Sequence, residues 1–218
     1  KKDPIITIGC YSSKESKCFC VHKTPGHNSY PTEKGMLNAF LNYVITLDPD
    51  IITGHNINRF DNVYLRDRCK KNNVRFIWSR RKFFQSTIKH ITTHSNQKGT
   101  QEQYRLTIPG RVIVDSYELY RAQHNLKSYK LDNIAKQFGL GGKFDMPYHL
   151  IRTKFGDPEG RKQIADYCVQ DCKLVLDLLE FHSKIVNLLQ MGAVTGCFLD
   201  DILQRGQGIR TITLMLYL

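Results

Sequence analysis

Short β-branched runs alternating with stretches of helical periodicity constrain this chain most. Ile5, Ile6 and Ile8 form a brief apolar run, residues 12–16 carry turn chemistry, and residues 18–22 supply a second strand. Thr32 is placed to cap a helix in which Met36, Leu37, Phe40, Leu41, Val44 and Ile45 recur at helical spacing, and Asp48-Pro49 stops it. Residues 50–53 read as a buried strand ended by Gly54, and a helix follows from about 61 to 71. Between 75 and 114 the pattern is of strands around a polar excursion, 94–103, with the composition of an exposed hairpin tip. Helices are predicted over 116–123 and 131–138, the latter stopped by Gly139, and from Asp157-Pro158 to about Met191, where Gly192 and Gly196 break the pattern. A last amphipathic segment covers 199–218. Strands first, a strand–helix alternation next and helices last is the order of an α/β domain.

Charge narrows the partners. Against 20 acidic residues stand 32 Lys and Arg, a formal net charge of +12. Residues 66–105 hold eleven of the basic residues and two acids, a local excess of +9 that includes Arg80, Arg81 and Lys82. Clustered cations that displace counterions from phosphates point to nucleic acid, with a solvated basic loop as the plainer meaning. No run approaches the roughly 18 apolar residues of a membrane span, and the opening residues lack a signal peptide's apolar stretch, so a soluble, non-secreted protein is expected. The seven cysteines are odd in number and have no framework spacing, which favours reduced thiols. Cys18, Cys20 and His22 have no second ligand pair, so packing on a strand is expected of them rather than metal binding.

Two segments carry chemistry. In GHNINRFDNVYL, residues 54–65, a buried strand ends and a helix begins, the place where α/β proteins put ligands. There Asp61 is available to a divalent cation, while Asn56 and Phe60 offer an amide and an aromatic face to a nucleotide. Alternatively, Asp61 caps the helix and Phe60 belongs to the core. In DYCVQDC, residues 166–172, Tyr167 and Asp171 lie four apart on one helix face, and Asp166 points elsewhere. A Tyr hydroxyl one turn from a metal-binding carboxylate can orient water for attack on a phosphodiester, although a surface ion pair is the commoner meaning of such a pattern.

Together these segments resemble a known family. Asn56-x-x-x-Phe60-Asp61, preceded by DPDIITG, resembles the second exonuclease motif of family B DNA polymerases, and Tyr167-x-x-x-Asp171 resembles the third. GRVIVDSYEL (110–119), LKSYKLDNIAKQF (126–138) and RGQGIRT (205–211) continue the likeness, and DPIITIGCY (3–11) is similar to the strand after the first motif. The nearest branch is the delta-type nuclear replicative enzymes together with those of large DNA viruses.

The resemblance implies an α/β, RNase H-like 3′→5′ proofreading exonuclease domain, a mixed sheet with flanking helices, over residues 1–196. Residues 197–218 would begin the connection into the polymerase palm. It implies two Mg²⁺ ions held by four carboxylates, among them Asp61 and Asp171, which should then lie within about 8 Å of each other. Tyr167 would position the nucleophile, and Asn56 and Phe60 would contact the primer 3′ end, with Arg80, Arg81 and Lys82 on the DNA-facing surface. Partners would be single-stranded primer DNA, the other polymerase domains and a processivity factor. The setting would be the nucleus, or a viral replication site in nucleus or cytoplasm. The first motif, an Asp-x-Glu on a central strand, has no equivalent: Asp157-Pro158-Glu159 has the chemistry of a helix cap. Asn62 and Val63 also replace the usual apolar-Pro pair. A segment cut at both ends is therefore expected, inactive by itself for want of two carboxylates and weakened by a missing central strand. A stand-alone exonuclease of the same fold and a non-catalytic single-strand-binding module are the alternatives.

Overall fold

The computed structural model describes residues 3–80, 84–95, 99–140, 146–205 and 207–217, with helices packed around three small sheets. Strand β1 (Thr7–Tyr11) pairs antiparallel with β2 (Ser16–Val21), which pairs in parallel with β3 (Asn28–Tyr30). A short connection can return β3 in parallel because His22 and Gly26 both adopt positive φ and turn the chain back on itself. Neither β3 nor its pairing is legible in the sequence. Helix α1 (Glu33–Leu47) is capped by Thr32, whose side chain accepts from the Gly35 amide at 3.1 Å, and ends at Asp48 in the left-handed region. Its apolar face, Met36, Leu37, Phe40 and Leu41, packs with Phe19 and Trp78 in the largest core cluster.

Strand β4 (Ile51–Gly54) pairs in parallel with β7 (Val112–Asp115), and α2 (Asp61–Lys71) lies between them in sequence. Strands β5 (Thr87–Ser95) and β6 (Gly99–Thr107) form an antiparallel hairpin. Its strands run into the polar excursion expected at 94–103, through Ser95 on one side and from Gly99 on the other. Helices α3 (Ser116–Gln123) and α4 (Leu131–Gln137) follow, then α5 (Tyr148–Lys154), which the sequence reading lacked.

Helix α6 (Pro158–Phe181) begins as the sequence predicts: Asp157 Oδ2 accepts from the Gly160 amide at 2.8 Å, and Pro158 takes the first helical position. It does not run on to residue 191. The chain breaks at Ser183, which has a φ of 49°, and restarts as α7 (Lys184–Thr195). Near the break, Tyr120 of α3 donates its hydroxyl to the Leu178 carbonyl at 2.9 Å, which also accepts from the His182 amide at 3.4 Å. The final segment divides into α8 (Leu199–Gln204) and α9 (Gln207–Tyr217).

α6 is the element that positions everything else. It packs on β1, β2 and β4, and it contributes Ala165, Val175, Leu178 and Leu179 to separate core clusters. Gly9 permits this approach, since a Cβ there would sit 2.8 Å from Cys168 Sγ and 2.9 Å from its carbonyl oxygen. Cys18 and Cys20 are buried in the same interface, in keeping with the packing role expected of them.

A buried ion pair joins α1 to α2. Glu33 accepts from Arg68 Nε at 2.7 Å and from Arg68 Nη2, from Asn72 Nδ2 at 2.9 Å and from the Ile5 amide at 2.8 Å. Burial opposes ionisation of Glu33, but these donors outweigh it and hold its carboxyl below the usual range. A depressed carboxyl pKa gives stability that is present above the unfolded value of 4.5 and is lost as pH falls through the folded value. Glu33→Ala removes the carboxylate that the buried Arg68 guanidinium is held against, and should cost about 3 to 5 kcal/mol at neutral pH. Urea melts should show that difference narrowing as the pH is lowered below 4.5; a pH-independent difference would assign the loss to packing instead.

Candidate active site

The loop from β4 to α2 is built around a glycine and a buried carboxylate. At Gly54 a Cβ would lie 2.2 Å from Ile57 Cγ2, so the strand can turn into the loop only with glycine there. Asn56 then adopts a φ of 62°, in the left-handed region that Asn tolerates best among non-glycine residues. What fixes this turn is Asp115, the last residue of β7 and almost fully buried. Its Oδ1 accepts from the Asn56 amide at 2.7 Å and the Tyr117 amide at 3.0 Å, and Oδ2 accepts from the Asn58 amide at 3.0 Å. Burial pushes its carboxyl up, against the three amides that favour the charged form. The adjacent Glu118, which accepts from Asn58 Nδ2 at 3.4 Å, is also pushed up, first by burial and then by the charge of Asp115.

His55 is held from both sides. Its Nε2 lies 2.8 Å from the Tyr129 carbonyl oxygen, which can only accept, so Nε2 carries the proton and Nδ1 accepts from Ser116 Oγ at 2.9 Å. Burial lowers its pKa, while Asp115, Asp132 and Asp171 pull the other way. α6, which carries Asp171, packs directly against β4, the strand that leads into this loop.

Asp61 is exposed at the first position of α2, where its charge faces the helix N-terminus. The capping position itself belongs to Phe60, which makes no side-chain cap, so Asp61 is not the helix cap that the plainer alternative supposes. Phe60 is 57% exposed and stacks on Tyr64, with ring centroids 5.9 Å apart, which removes the alternative that it is core. Tyr167 and Asp171 are half-buried one turn apart on α6. Asp166 points elsewhere, bonding His27 Nε2 at 2.8 Å and Lys162 Nζ at 3.1 Å.

The basic stretch is not all free surface. Arg68 is buried against Glu33. Arg66 pairs with Asp67 at 2.7 Å. The Arg80 guanidinium reaches Asp48 Oδ1 at 2.8 Å, Asp50 Oδ1 at 2.6 Å and the Gly110 carbonyl at 3.1 Å, clasping the turn before β4 to the turn before β7. Arg81 and Lys82 lie outside the described residues. Asp115, His55 and Glu118 were not singled out from sequence, although an Asp that ends an apolar run and opens a helix, as in VIVDSYEL, carries a legible capping signal.

A sequence profile described as "DNA polymerase family B, exonuclease domain" matches residues 1–134, which include the whole β4–α2 loop. The chain belongs to that family. The DNA polymerase delta catalytic subunit of Plasmodium falciparum is 36% identical over 100% of this chain and 21% of its own length. That of Caenorhabditis elegans is 33% identical over 99% and 21%. The chain thus spans about a fifth of the length of these curated relatives. A solved structure of the family B DNA polymerase from the archaeon Pyrobaculum calidifontis superposes with a TM-score of 0.73 at 24% identity, over 99% of this chain and 26% of that one. The fold expected from sequence, an α/β RNase H-like exonuclease domain, is the one observed. No helix among the described residues is long and apolar enough to cross a membrane.

The loop's dependence on Asp115 is directly measurable. Asp115→Ala leaves three buried or half-buried amides without their acceptor, at a cost of about 1 to 3 kcal/mol. Hydrogen exchange at Asn56, Asn58 and Tyr117 should accelerate by at least about tenfold, with amides in β5 and β6 unchanged. Equal acceleration everywhere would mean that the substitution loosens the whole domain and not the loop.

Proposed function

We propose that this exonuclease domain performs the 3′→5′ proofreading hydrolysis of a replicative DNA polymerase, with Asp61 and Asp171 as metal-holding carboxylates and Tyr167 as the group that orients the attacking water. The observation that carries the reading is the convergence of two chemically apt segments. The family match spans the loop bearing Asn56, Phe60 and Asp61, and α6, which bears Tyr167 and Asp171, packs on β4, the strand that leads into that loop. Carboxylates at a strand's carboxyl end and on the helix packed against it have the hard oxygen chemistry Mg²⁺ takes. Among the described residues no set of three His, Cys, Asp or Glu is arranged to hold an ion, so these two are part of a donor set and not a complete one. In the family that the chain resembles the remainder is an Asp-x-Glu on a central strand, and the resemblance divides the chain near residue 196, after which it leads toward the polymerase palm. Bound Mg²⁺ would stabilise charge on the scissile phosphate.

The other parts follow from the chain's own side chains. Phe60, exposed and stacked on Tyr64, offers a face for a terminal base, and Asn56 is fixed beside it by Asp115. Lys70, Lys71, Arg75 and Lys89 are exposed and can meet the DNA backbone; Arg80, held in its clasp, contributes mainly to the fold. The substrate would be the single-stranded 3′ end of a primer. The setting would be the nucleus, or a viral replication site, with a processivity factor engaged through the rest of the polymerase.

In the complete polymerase, Asp61→Asn and Asp171→Asn should each lower Mg²⁺-dependent release of nucleotides from a single-stranded primer by at least about a hundredfold, the scale of losing one preorganised electrostatic group. Tyr167→Phe should lower kcat more than it raises KM, and DNA synthesis should be retained in all three. Full exonuclease activity in either Asp variant would sink the assignment.

A further inference from the structure

Five of the seven cysteines gather where α6 meets the first sheet, and nothing in the proposed hydrolysis uses them. Cys18 and Cys20, on one face of β2, are buried with their sulfurs 3.8 Å apart, and Thr7 Oγ1 lies 2.9 Å from Cys18 Sγ. Cys168 packs on them from α6, with Cys172 one turn further along and Cys10 on the neighbouring strand. Cys168 occupies the space that a side chain at residue 9 would fill, because Gly9 has none. Gly9 is the register partner of Cys18, so the Cys168 thiol over Gly9 is seated beside Cys18.

We propose that Cys168 and Cys18 are an oxidative modification site, a thiol pair that peroxides convert to a disulfide between the helix and the sheet. This inference is independent of the nuclease reading. The pair is asymmetric in the way such chemistry needs. Cys168 is partly exposed, and its neighbours Cys172, Cys18 and the Gly9 amide hold it below the usual thiol range against the burial that opposes this. Cys18 is fully buried, and Cys168, Cys20 and its burial hold it above that range. Cys168 therefore attacks the peroxide. An S–O bond forms, the O–O bond breaks, and the departing hydroxide takes up a proton to become water. Cys18 sulfur then attacks the resulting sulfenic acid: the S–S bond forms, the S–O bond breaks, and the Cys18 proton leaves with the hydroxyl as a second water. Two thiols are oxidised by two electrons and one hydrogen peroxide is reduced to two waters. The backbone approach that Gly9 allows suits the short Cα separations a disulfide spans, about 4.4 to 6.8 Å. Cys172 is a poorer partner for Cys168, since side chains one turn apart on a helix project side by side from the same face.

The test treats the folded chain with near-stoichiometric hydrogen peroxide, alkylates the remaining thiols with iodoacetamide, and maps linked peptides by mass spectrometry without reduction. The expected result is a first-formed link joining Cys18 to Cys168, removed by dithiothreitol and retained in Cys172→Ala. Gly9→Ala should abolish the link although both thiols remain. Because that variant may also fold poorly, Cys168→Ala provides the second arm: it should leave Cys18 unoxidised at the same dose. A first link between Cys18 and Cys20, or between Cys168 and Cys172, overturns the proposal. So does oxidation of Cys168 to sulfinic acid with no link, or full recovery of both thiols at a dose that oxidises Cys197.

Discussion

Two sheets that share no ladder among the described residues are joined by the helix that packs on both and by the core beneath α1. α6 lies across β1 and β2 on one side and β4 on the other, and its buried residues enter three core clusters. Such an arrangement is only as firm as the closest contact allows, because dispersion and apolar burial decay steeply with separation. At Gly9 that contact is backbone against backbone, a distance no other residue type permits. Tyr167 and Asp171 ride on the same helix, flanking Cys168, so the packing that unites the sheets also sets where the candidate catalytic side chains sit relative to the β4–α2 loop.

Charge in this molecule divides between architecture and surface. The excess of cations in residues 66–105 suggests a wide phosphate-binding face, yet the arginines with the best-defined partners are committed internally. Arg68 is sealed against Glu33, while Arg80 and Arg111 grip the two acids of Asp48-Pro49-Asp50. Arg111 is the more deeply buried of the last two. Its side chain is fully buried, and it also donates to the Trp78 carbonyl at 2.8 Å, whereas the Arg80 pairs are partly solvated and weakened by screening. A guanidinium has five donors in a fixed plane, which suits it to joining several turns at once. The sequence reveals the number of cations but not this division, because the acids that bind them lie 30 to 63 residues away along the chain.

Legibility followed the range of the interactions involved. The starts of α1 and α6 were readable because Thr32 and Asp157 each bond an amide three residues on. The start of α2 at Asp61 and the whole of α3 fell where periodicity and turn chemistry placed them. The break between α6 and α7 was not readable, since no glycine or proline marks residues 182 and 183, and the hydroxyl that bonds the Leu178 carbonyl beside it comes from Tyr120, 58 residues away. β3 was hidden for a related reason: a short strand in an unusual parallel return depends on the conformations of His22 and Gly26 and not on an apolar pattern. In the candidate site the motif residues were found through resemblance. Their support, Asp115, acts across about sixty positions.

That support bears on how such a site can work. A loop that presents an aromatic ring and an amide to substrate must hold them still, or the freedom lost on binding is subtracted from affinity. Here the conformation is set before any ligand arrives. A buried carboxylate collects three backbone amides, and a neutral imidazole is fixed between a hydroxyl and a carbonyl. Both devices are polar and desolvated, so they tolerate neither the loss of a donor nor a change of charge, which makes them rigid. Asp61, by contrast, is exposed at a helix start. A carboxylate proposed to take a metal ion has to exchange water for it and gains from exposure, whereas the carboxylate that shapes the loop gains from being dry. The sequence assigns the same residue type to both positions, and burial separates their roles.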